Sequence, residues 1–500
     1  RGMGKNCIHG QYTGYDMLGK LSYDNRITPW KNLFHGSRWI LYYQMRNLVA
    51  PGGIFQSIIN YDGTVREIYR NLYKDELSEI KQGIGKLILN SKQITDGIIF
   101  TYSYTSCLFN RHTSSYFSAK TLIQDLGYQH DLISYAQLEN YQIPASARIL
   151  FLADCISMSE SEIESVKKFV SSGGIVIADA QAAIYNQHGV KYSFSPIDEI
   201  FGINRSNIRY SPEKKTVMFG SEQLSLWIAE SVIKVLPGAV FKGTTQDGQP
   251  VVITNSYGKG QAVYLNMYMV PYAEIAAKGA AGEIVVEQPG AKEIEISYQK
   301  IIRQALEDFC GIKPMVNISP ETCFKEVFLF TGKQGKSFLF GILPSPRLQK
   351  KTKISISLPT ISNIMTMYDV REKKQSTSGR KFEYFLKPGR TGLLAFTPYS
   401  VKKIVVNGPK LCYQGEIFNF EGKIHTSTGV ADGHVIRVQV FDSRNREIPY
   451  WSRTICADRN TFKFSLSVDH SMEPSWYKLV ATDIISGTKG TAIFRILHKK

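Results

Sequence analysis

The 500-residue sequence contains no apolar run near the roughly 20 residues that a membrane-spanning helix requires. Its start, RGMGKNCIHG, also lacks the apolar core of a signal peptide. Because the first residue is not Met, we expect the chain to be the back part of a longer protein. Its location is therefore left open among the cytoplasm, the periplasm and the extracellular space.

Cysteine is sparse and scattered. The seven cysteines stand singly, and no Cys pair or Cys/His cluster has the spacing of zinc ligands. An odd number of cysteines disfavours a complete disulfide framework. We therefore predict buried, unpaired thiols, no metal site and no cofactor.

Positive charge is concentrated near the end of the sequence. The net charge is +17, and residues 311–500 hold 30 Lys and Arg against 14 Asp and Glu, a balance of +16. This excess indicates either the solvated surface of β-sheets or attraction to an anionic polymer. No nucleic-acid-binding motif with interleaved aromatic residues accompanies it, so a nucleic acid is not expected as a partner.

Alternating strands and helices are predicted over residues 93–312. The stretch ILFLADCISMSESEIESVKKFVSSGGIVIADA, residues 149–180, reads as strand, helix, Gly-Gly turn and strand. Such alternation is typical of a doubly wound parallel sheet. After residue 313 the pattern changes to short strands, which predict a small β-sandwich over 313–404 and an immunoglobulin-like sandwich over 405–500.

No catalytic residue is predicted. Many enzymes place a nucleophile on the turn after a parallel strand, but the turn after GIVIAD offers only Ala180, Gln181, Ala182 and Ala183. Cys155 follows the preceding strand, yet no His is close in sequence and no Gly-x-nucleophile-x-Gly elbow surrounds it. A cysteine hydrolase or an active glutamine amidotransferase is therefore disfavoured.

Aromatic and polar residues near the start could line a sugar subsite, because rings stack on sugar faces and polar groups hold hydroxyls. The candidate substrate-binding residues are Tyr15, Asp16, Trp30, Tyr42, Gln44 and Arg46. Ordinary core and rim packing is the alternative. The same two alternatives apply near the other end of the chain to Trp451, Trp476, Tyr450 and Tyr477, for which core packing is favoured.

The order of these segments resembles the C-terminal half of family 42 glycoside hydrolases, the β-galactosidase type. PWKNLFHGSRWILYYQMRN and NYDGTVREIY resemble the end of that family's (β/α)8 barrel, and the stretch from residue 149 to 180 resembles its middle domain. MYDVREKK followed by LKPGRTGLLAF resembles its small β domain. The resemblance covers about residues 30–400.

The resemblance implies three domains: a barrel remnant (1–92), a non-catalytic α/β domain of the flavodoxin-like or amidotransferase-like kind used for trimerisation (93–312) and a small β-sandwich (313–404). The immunoglobulin-like module predicted from the strand pattern (405–500) is an addition to the layout of the family. It implies a bacterial enzyme that cleaves β-linked glycosides with retention, through two glutamates located before residue 1. An oligo- or polysaccharide, which could be anionic, and further copies of the chain are the expected partners. The alternative is a non-catalytic scaffold or carbohydrate-binding protein with a degenerate barrel.

Two departures limit what the resemblance transfers. No Glu precedes Glu67, so no catalytic carboxylate can be assigned, and this chain alone is expected to be inactive. The loop NLVAPGGIFQS also lacks the acidic residue and the histidine that the family tends to place there against galactose. The particular sugar and linkage are therefore not predicted.

Overall fold

A computed structural model of the chain describes residues 8–12, 21–43, 59, 62–65, 67–110, 114–207, 209–272, 290–320, 324–345, 348–359 and 361–498. The chain divides into two compact units. The α/β unit is Thr95–Met315, and the β-rich unit joins Met3–Ile94 to Val316–Lys500. The ends of the α/β unit lie close to the predicted boundaries at residues 93 and 312, whereas the finer division into four domains stays a prediction.

The first segment of the β-rich unit contains both helices and strands. Its elements are β1 (Ile8–Tyr12), α1 (Leu21–Phe34), β2 (Trp39–Tyr43), α2 (Glu67–Leu72), α3 (Gly85–Leu89) and β3 (Lys92–Ile94). Strands β1 and β2 pair in parallel.

The periodic apolar positions of residues 65–88 predict one long helix, but the structure interrupts it. Two π-helical turns, Tyr73–Leu77 and Ile80–Ile84, lie between α2 and α3. Within the second turn, Gly83 has a φ of 147°, and a Cβ atom there would lie 2.5 Å from the side chain of Ile484. Only glycine meets both requirements, so the helix changes direction at this residue.

The α/β unit is built largely from alternating strands and helices. Its elements are β4 (Ile98–Tyr102), α4 (Tyr104–Asn110), α5 (Ser114–Asp125), β5 (His130–Ser134), α6 (Tyr135–Glu139), β6 (Ile149–Leu152), α7 (Glu160–Ser171), β7 (Ile175–Ala178), α8 (Asp198–Phe201), β8 (Ile203–Asn204), β9 (Arg209–Phe219), β10 (Glu222–Ser231), β11 (Lys234–Val235), β12 (Val240–Thr245), β13 (Pro250–Tyr257), β14 (Gly260–Leu265) and α9 (Ala291–Gln304), which continues as a π-helical turn, Ala305–Phe309.

One nine-stranded sheet organises this unit, in the order β10-β9-β12-β13-β14-β7-β6-β4-β5. The last five of these strands are parallel, and taken in chain order they follow the arrangement 2-1-3-4-5 of flavodoxin-like sheets. Alternate residues of a strand face opposite sides, so Phe100 belongs to one core and Ile99 to the other. Helices α5 and α9 pack on the first face, and α6, α7 and α8 pack on the second. The predicted doubly wound sheet is present.

Local signals explain how α7 forms. Ser159 accepts a hydrogen bond from the backbone N–H of Glu162, whose carboxylate accepts one from the backbone N–H of Ser159 at 2.7 Å. This reciprocal capping box satisfies two backbone donors that the first helical turn leaves free. Burial raises the pKa of Glu162 to about 7.

The remainder of the β-rich unit consists almost entirely of strands. They are β15 (Asn317–Ser319), β16 (Phe324–Thr331), β17 (Phe338–Pro344), β18 (Thr352–Ser357), β19 (Met365–Asp369), β20 (Lys374–Gly379), β21 (Lys381–Leu386), β22 (Gly392–Thr397), β23 (Val401–Asn407), β24 (Leu411–Tyr413), β25 (Ile417–Thr426), β26 (Val435–Phe441), β27 (Arg453–Cys456), β28 (Thr461–Ser467), β29 (Trp476–Asp483) and β30 (Lys489–Leu497).

Four sheets contain these strands: β20-β19-β22-β17-β16-β3, β15-β18-β21, β23-β25-β28 and β24-β30-β29-β26-β27. The last two sheets share one core, to which Phe420 and Phe464 contribute from one sheet and Leu479 and Phe494 from the other. Residues 401–498 therefore form a two-layered β module, which we call the C-terminal module.

A buried carboxylate joins the helical segment of the β-rich unit to its β-sheets. Glu76 has no exposed surface and accepts hydrogen bonds from the guanidinium of Arg26, from the indole N–H of Trp30 at 2.7 Å and from Nη2 of Arg371 at 2.8 Å. Arg371 also donates to Glu79 at 2.6 Å. Such a network is stable only when each buried charge keeps its partners.

Replacing Glu76 with Gln should lower the unfolding free energy of the β-rich unit by about 3–5 kcal/mol, because Arg371 would stay buried without its main counter-charge. The measurement is calorimetric unfolding, in which the two units are followed as separate transitions. Glu79→Gln is the matched control, since the side chain of Glu79 is 26% exposed, and it should cost about 1 kcal/mol or less. Equal shifts for the two variants would contradict this account of the network.

Candidate functional site

The carboxyl ends of β4 and β6 mark the point where ligands bind in sheets of the 2-1-3-4-5 order. Here, three serines close this point. Ser103, directly after β4, bonds Ser106 at 2.7 Å and donates to the backbone carbonyl of Ser157, beyond β6, at 3.1 Å. The backbone N–H of Ser157 donates in return to the hydroxyl of Ser106 at 3.0 Å. The crevice that such folds use for ligands is therefore occupied by contacts between two of the protein's own loops.

Cys155 lies on the turn after β6 and is buried. Its sulfur lies 3.1 Å from the hydroxyl oxygen of Thr101 on β4. Burial raises the pKa of the Cys155 thiol well above its ordinary value, and the bond with Thr101 offsets only part of that rise. A buried neutral thiol is a poor nucleophile, so Cys155 acts in packing.

The turn after β7 keeps the backbone strain of a catalytic turn without a catalytic side chain. Gln181 and Ala183 have φ values of 67° and 51°, in the left-handed region that non-glycine residues seldom adopt. Nucleophile elbows are strained turns of this kind. An amide and a methyl group cannot attack a substrate, so the strain here serves the fold.

A buried charge network stabilises that strained turn. Arg205 donates to Asp198 at 2.7 Å, to the hydroxyl of Tyr264 at 3.1 Å and to the backbone carbonyl of Ala182 at 2.6 Å. Glu230 accepts from the backbone N–H of Gln181 at 2.9 Å and from the hydroxyl of Tyr264. Buried side chains therefore bond both a backbone N–H and a backbone carbonyl of this turn.

The electrostatics of this network agree with a structural role. Burial raises the pKa of Glu230, and the guanidinium of Arg205 opposes that rise. Burial also disfavours the charge of Arg205, but Tyr264, Glu230 and Asp198 outweigh it and raise its pKa. Buried titratable groups often mark active sites, yet each of these groups bonds another or the backbone of the turn.

Metal binding finds no support in the part of the chain that the structure covers. There, no group of three or more His, Cys, Asp or Glu side chains could hold an ion. Within the same residues, no helix combines the length and the apolar character needed to cross a membrane.

The structure places one of the predicted sugar-binding residues in the core and does not describe the side chains of the other five. Trp30 is wholly buried beside Phe34 and donates its indole N–H to Glu76, so its assignment to an open sugar subsite is corrected to core packing. The physical reason is that helix α1 turns Trp30 toward the apolar core that it shares with α3 and β16. Tyr15, Asp16, Gln44 and Arg46 lie outside the described residues, and only the backbone of Tyr42 is described.

The aromatic residues near the other end divide into two pairs. Trp451 and Tyr477 are buried in the core of the C-terminal module, with ring centroids 5.7 Å apart, as the packing alternative predicts. Tyr450 and Trp476 are exposed, with 65% and 53% of their surfaces open. Only the second pair is available to a ligand.

An exposed apolar surface lies beside the closed crevice. On α4, Tyr104 and Leu108 are one helical turn apart and half or more exposed, and Phe109 packs its ring against Gly189. The next residue, Val190, is 60% exposed. We call Tyr104, Leu108, Phe109 and Val190 the α4 patch. Exposed apolar side chains grouped in this way suit a contact with another molecule.

Sequence reasoning missed the charge networks and the α4 patch. Glu76 lies on the apolar face of its helix, between Leu72 and Ile80, and an acidic residue at such a position was the available signal. For Glu230, nothing in the sequence indicated that the carboxylate would lie in a buried charge network. It continues the alternating row of Leu226 and Ile228, but a β-bulge shifts the register between Ile228 and Glu230. Its carboxylate bonds Tyr264, whose ring belongs to the opposite core.

Together, these features define a class: a mixed α/β and β-sheet chain with a flavodoxin-like sheet, a strained turn that presents Gln181 and Ala183 in place of a nucleophile, and an exposed apolar patch.

The comparisons identify the relatives more closely. Residues 109–275 match the family model described as the beta-galactosidase trimerisation domain. The chain resembles the crystal structure of beta-galactosidase from Bacillus circulans sp. alkalophilus, with 14% identity, a TM-score of 0.58, and coverage of 77% of this chain and 54% of that one. Beta-galactosidase from Rahnella sp. R3 is 15% identical, with a TM-score of 0.57 and coverage of 77% of this chain and 53% of that one. A GH42 beta-galactosidase from G. stearothermophilus is 14% identical, with a TM-score of 0.55 and coverage of 74% of this chain and 50% of that one.

No curated protein matches the chain. The chain is thus similar in fold to GH42 beta-galactosidases, and residues 109–275 match the model of the trimerisation domain, which confirms the resemblance stated from the sequence. It spans about half the length of those structures.

Cys155 should resist alkylation in the native protein, because it is buried and its thiol stays protonated. Iodoacetamide labelling followed by peptide mass spectrometry should modify Cys107, which is partly exposed, at least about tenfold faster than Cys155. In denaturant the two rates should converge. Fast native labelling of Cys155 would contradict the packing role.

Proposed function

We propose that this chain is the supporting C-terminal part of a glycoside hydrolase that acts on β-linked glycosides with retention. In this proposal the first ninety residues complete a (β/α)8 barrel, the α/β unit is an amidotransferase-like domain without activity, and the remaining strands form a small β-sandwich and an immunoglobulin-like one. The observation that carries the proposal is the trimerisation-domain match at residues 109–275, in a unit whose strained turn after β7 presents Gln181 and Ala183 in place of a nucleophile.

In this proposal the α/β unit assembles copies of the chain into a homotrimer. Phe109 and Val190 of the α4 patch fall inside the matched residues, and Tyr104 and Leu108 directly precede them. Tyr104 also stacks on Tyr135, with ring centroids 6.3 Å apart, which gives the patch a rigid base. Aromatic and aliphatic anchors on a rigid surface are the usual centre of a stable interface. We therefore propose the α4 patch as a contact between copies.

The chemistry is proposed to belong to two glutamates before residue 1, one acting as acid and base and the other as nucleophile. Tyr15, Asp16, Tyr42, Gln44 and Arg46 remain proposed sugar-binding residues. An oligo- or polysaccharide is the proposed substrate. The second candidate function, a non-catalytic scaffold or carbohydrate-binding protein, is favoured by the exposed Trp476 and the basic β-sheets, and it requires that no such glutamates exist.

Leu108→Asp should dissociate the trimer, because a carboxylate placed in an apolar contact loses its hydration without gaining a partner. Light scattering should give three times the chain mass for the unmodified protein and one chain mass for the variant. Ile296→Asp is the matched control: Ile296 is 51% exposed on helix α9, outside the α4 patch, and its variant should stay trimeric. A monomeric unmodified protein would refute the assembly role. If Ile296→Asp dissociated the trimer and Leu108→Asp did not, the interface would lie around Ile296 and not at the α4 patch.

The full-length protein should carry two glutamates at the ends of barrel strands before residue 1. Replacing either with Gln should lower hydrolysis of an aryl β-glycoside by about 10²–10⁴-fold, since each supplies a proton transfer or a bond to the sugar. The 500-residue chain alone should be inactive in the same assay. Absence of the pair from the full-length sequence would favour the scaffold alternative.

A further inference from the structure

The C-terminal module presents one sheet face that its own core does not use. In the sheet β24-β30-β29-β26-β27, residues such as Leu479 and Phe494 point into the core shared with the second sheet. Their sequence neighbours Lys478, Ile493 and Arg495 point the opposite way and are exposed. The outer face is therefore a distinct surface with its own composition.

The helical segment of the same unit covers one part of this face. Val435 and Ile484 share a core with Ile84 and Leu87, and Lys86 donates from its Nζ to the backbone carbonyl of Thr454 at 2.7 Å. The strand positions farther from that contact stay open. A ligand site on this face must therefore lie on the open part, around β24, β30 and the start of β29.

Four side chains form a square on the open part. The strand register places Trp476 opposite Arg495 and Lys478 opposite Ile493 on the paired strands β29 and β30. The two cations are thus diagonal neighbours, about 7–8 Å apart at this spacing. The guanidinium carbon of Arg495 lies 5.8 Å from the ring centroid of Trp476. We call these four residues the Trp476 square.

The charge on the open part of this face has one sign. The outward positions of β24, β29 and β30 carry the cations Lys478, Lys489 and Arg495 and no Asp or Glu. On the neighbouring strand β26, Arg437 lies 3.5 Å from Glu447. The opposite sheet of the module differs, because its outward Lys463 forms an ion pair with Glu421. One face of the module therefore combines an exposed ring with cations that no carboxylate on these strands neutralises.

We propose that the Trp476 square binds an anionic polysaccharide. A pyranose ring can rest its C–H face on the indole of Trp476, while sulfate or carboxylate groups of the polymer accept hydrogen bonds from Arg495 and Lys478. An open sheet face can take a linear polymer, and the +16 balance of residues 311–500 attracts polyanions from a distance. Tyr413 on β24, 40% exposed, extends the apolar surface beyond the square.

The biological role of this site rests on the proposed glycosidase function: the site would hold a charged polymer near the enzyme that cleaves it. The binding itself depends neither on turnover nor on trimer formation. Single-stranded nucleic acid offers phosphates and stacking bases as well. We favour the polysaccharide because the solved structures that resemble this chain are glycosidases, and the test distinguishes the two.

The test is affinity electrophoresis of the full 500-residue chain at about 150 mM salt, in gels containing dextran sulfate, polygalacturonate or neutral dextran. Dextran sulfate and dextran share one backbone, so their difference isolates the charge, and polygalacturonate distinguishes carboxylate from sulfate. We expect retardation by at least one anionic polymer and none by dextran. Lys478→Ala/Arg495→Ala should weaken binding roughly fivefold to tenfold, and Trp476→Ala roughly fivefold.

Lys403→Ala/Lys423→Ala is the matched control, because it removes the same charge from the opposite sheet of the module and should change binding less than about twofold. Unchanged thermal unfolding of each variant shows that the module stays folded. Equal weakening by the control, no effect of Trp476→Ala, or equal retardation by dextran would overturn the site. So would competition by an oligothymidylate at lower concentration than the polysaccharide. If the proposed glycosidase activity is not found, the outcome of this binding test still stands, because the test does not depend on turnover.

Discussion

A carboxylate that leaves water must find cations or hydrogen-bond donors within the protein, and each unit of this chain is organised around that constraint. Glu76 draws Arg26, Trp30 and Arg371 together in the β-rich unit. In the α/β unit, Glu230 and Arg205 support a strained turn. Because removing one partner leaves the other charge buried, these networks fix the relative positions of segments that are distant in sequence.

The α/β unit combines the sheet order of ligand-binding folds with loops that leave little room for a ligand. Its strand order and its strained turn after β7 are those of folds that bind ligands or carry nucleophiles. However, serine hydroxyls fill the crevice, Cys155 is buried against Thr101, and Gln181 occupies the strained turn. What remains open in this region is the apolar α4 patch, so the surface suits a protein contact better than a reaction.

The two exposed surfaces differ in ways that suit different partners. The α4 patch is aliphatic and aromatic, and apolar surface of that kind is buried well by another copy of the chain. The Trp476 square joins one ring to cations on a sheet face, and such a surface suits a polar anionic ligand.

Sequence periodicity alone determined the alternation of strands and helices over residues 93–312, including helix α7, and the strands beyond residue 313. Hydrogen-bonding pattern and side-chain period are local properties, so they can be read from neighbouring residues. The interruption at Gly83, the burial of Trp30 and the face on which Glu230 lies were decided only by the tertiary structure. Each depends on a residue distant in sequence: Ile484 against Gly83, Glu76 beside Trp30, and Tyr264, whose hydroxyl bonds the carboxylate of Glu230.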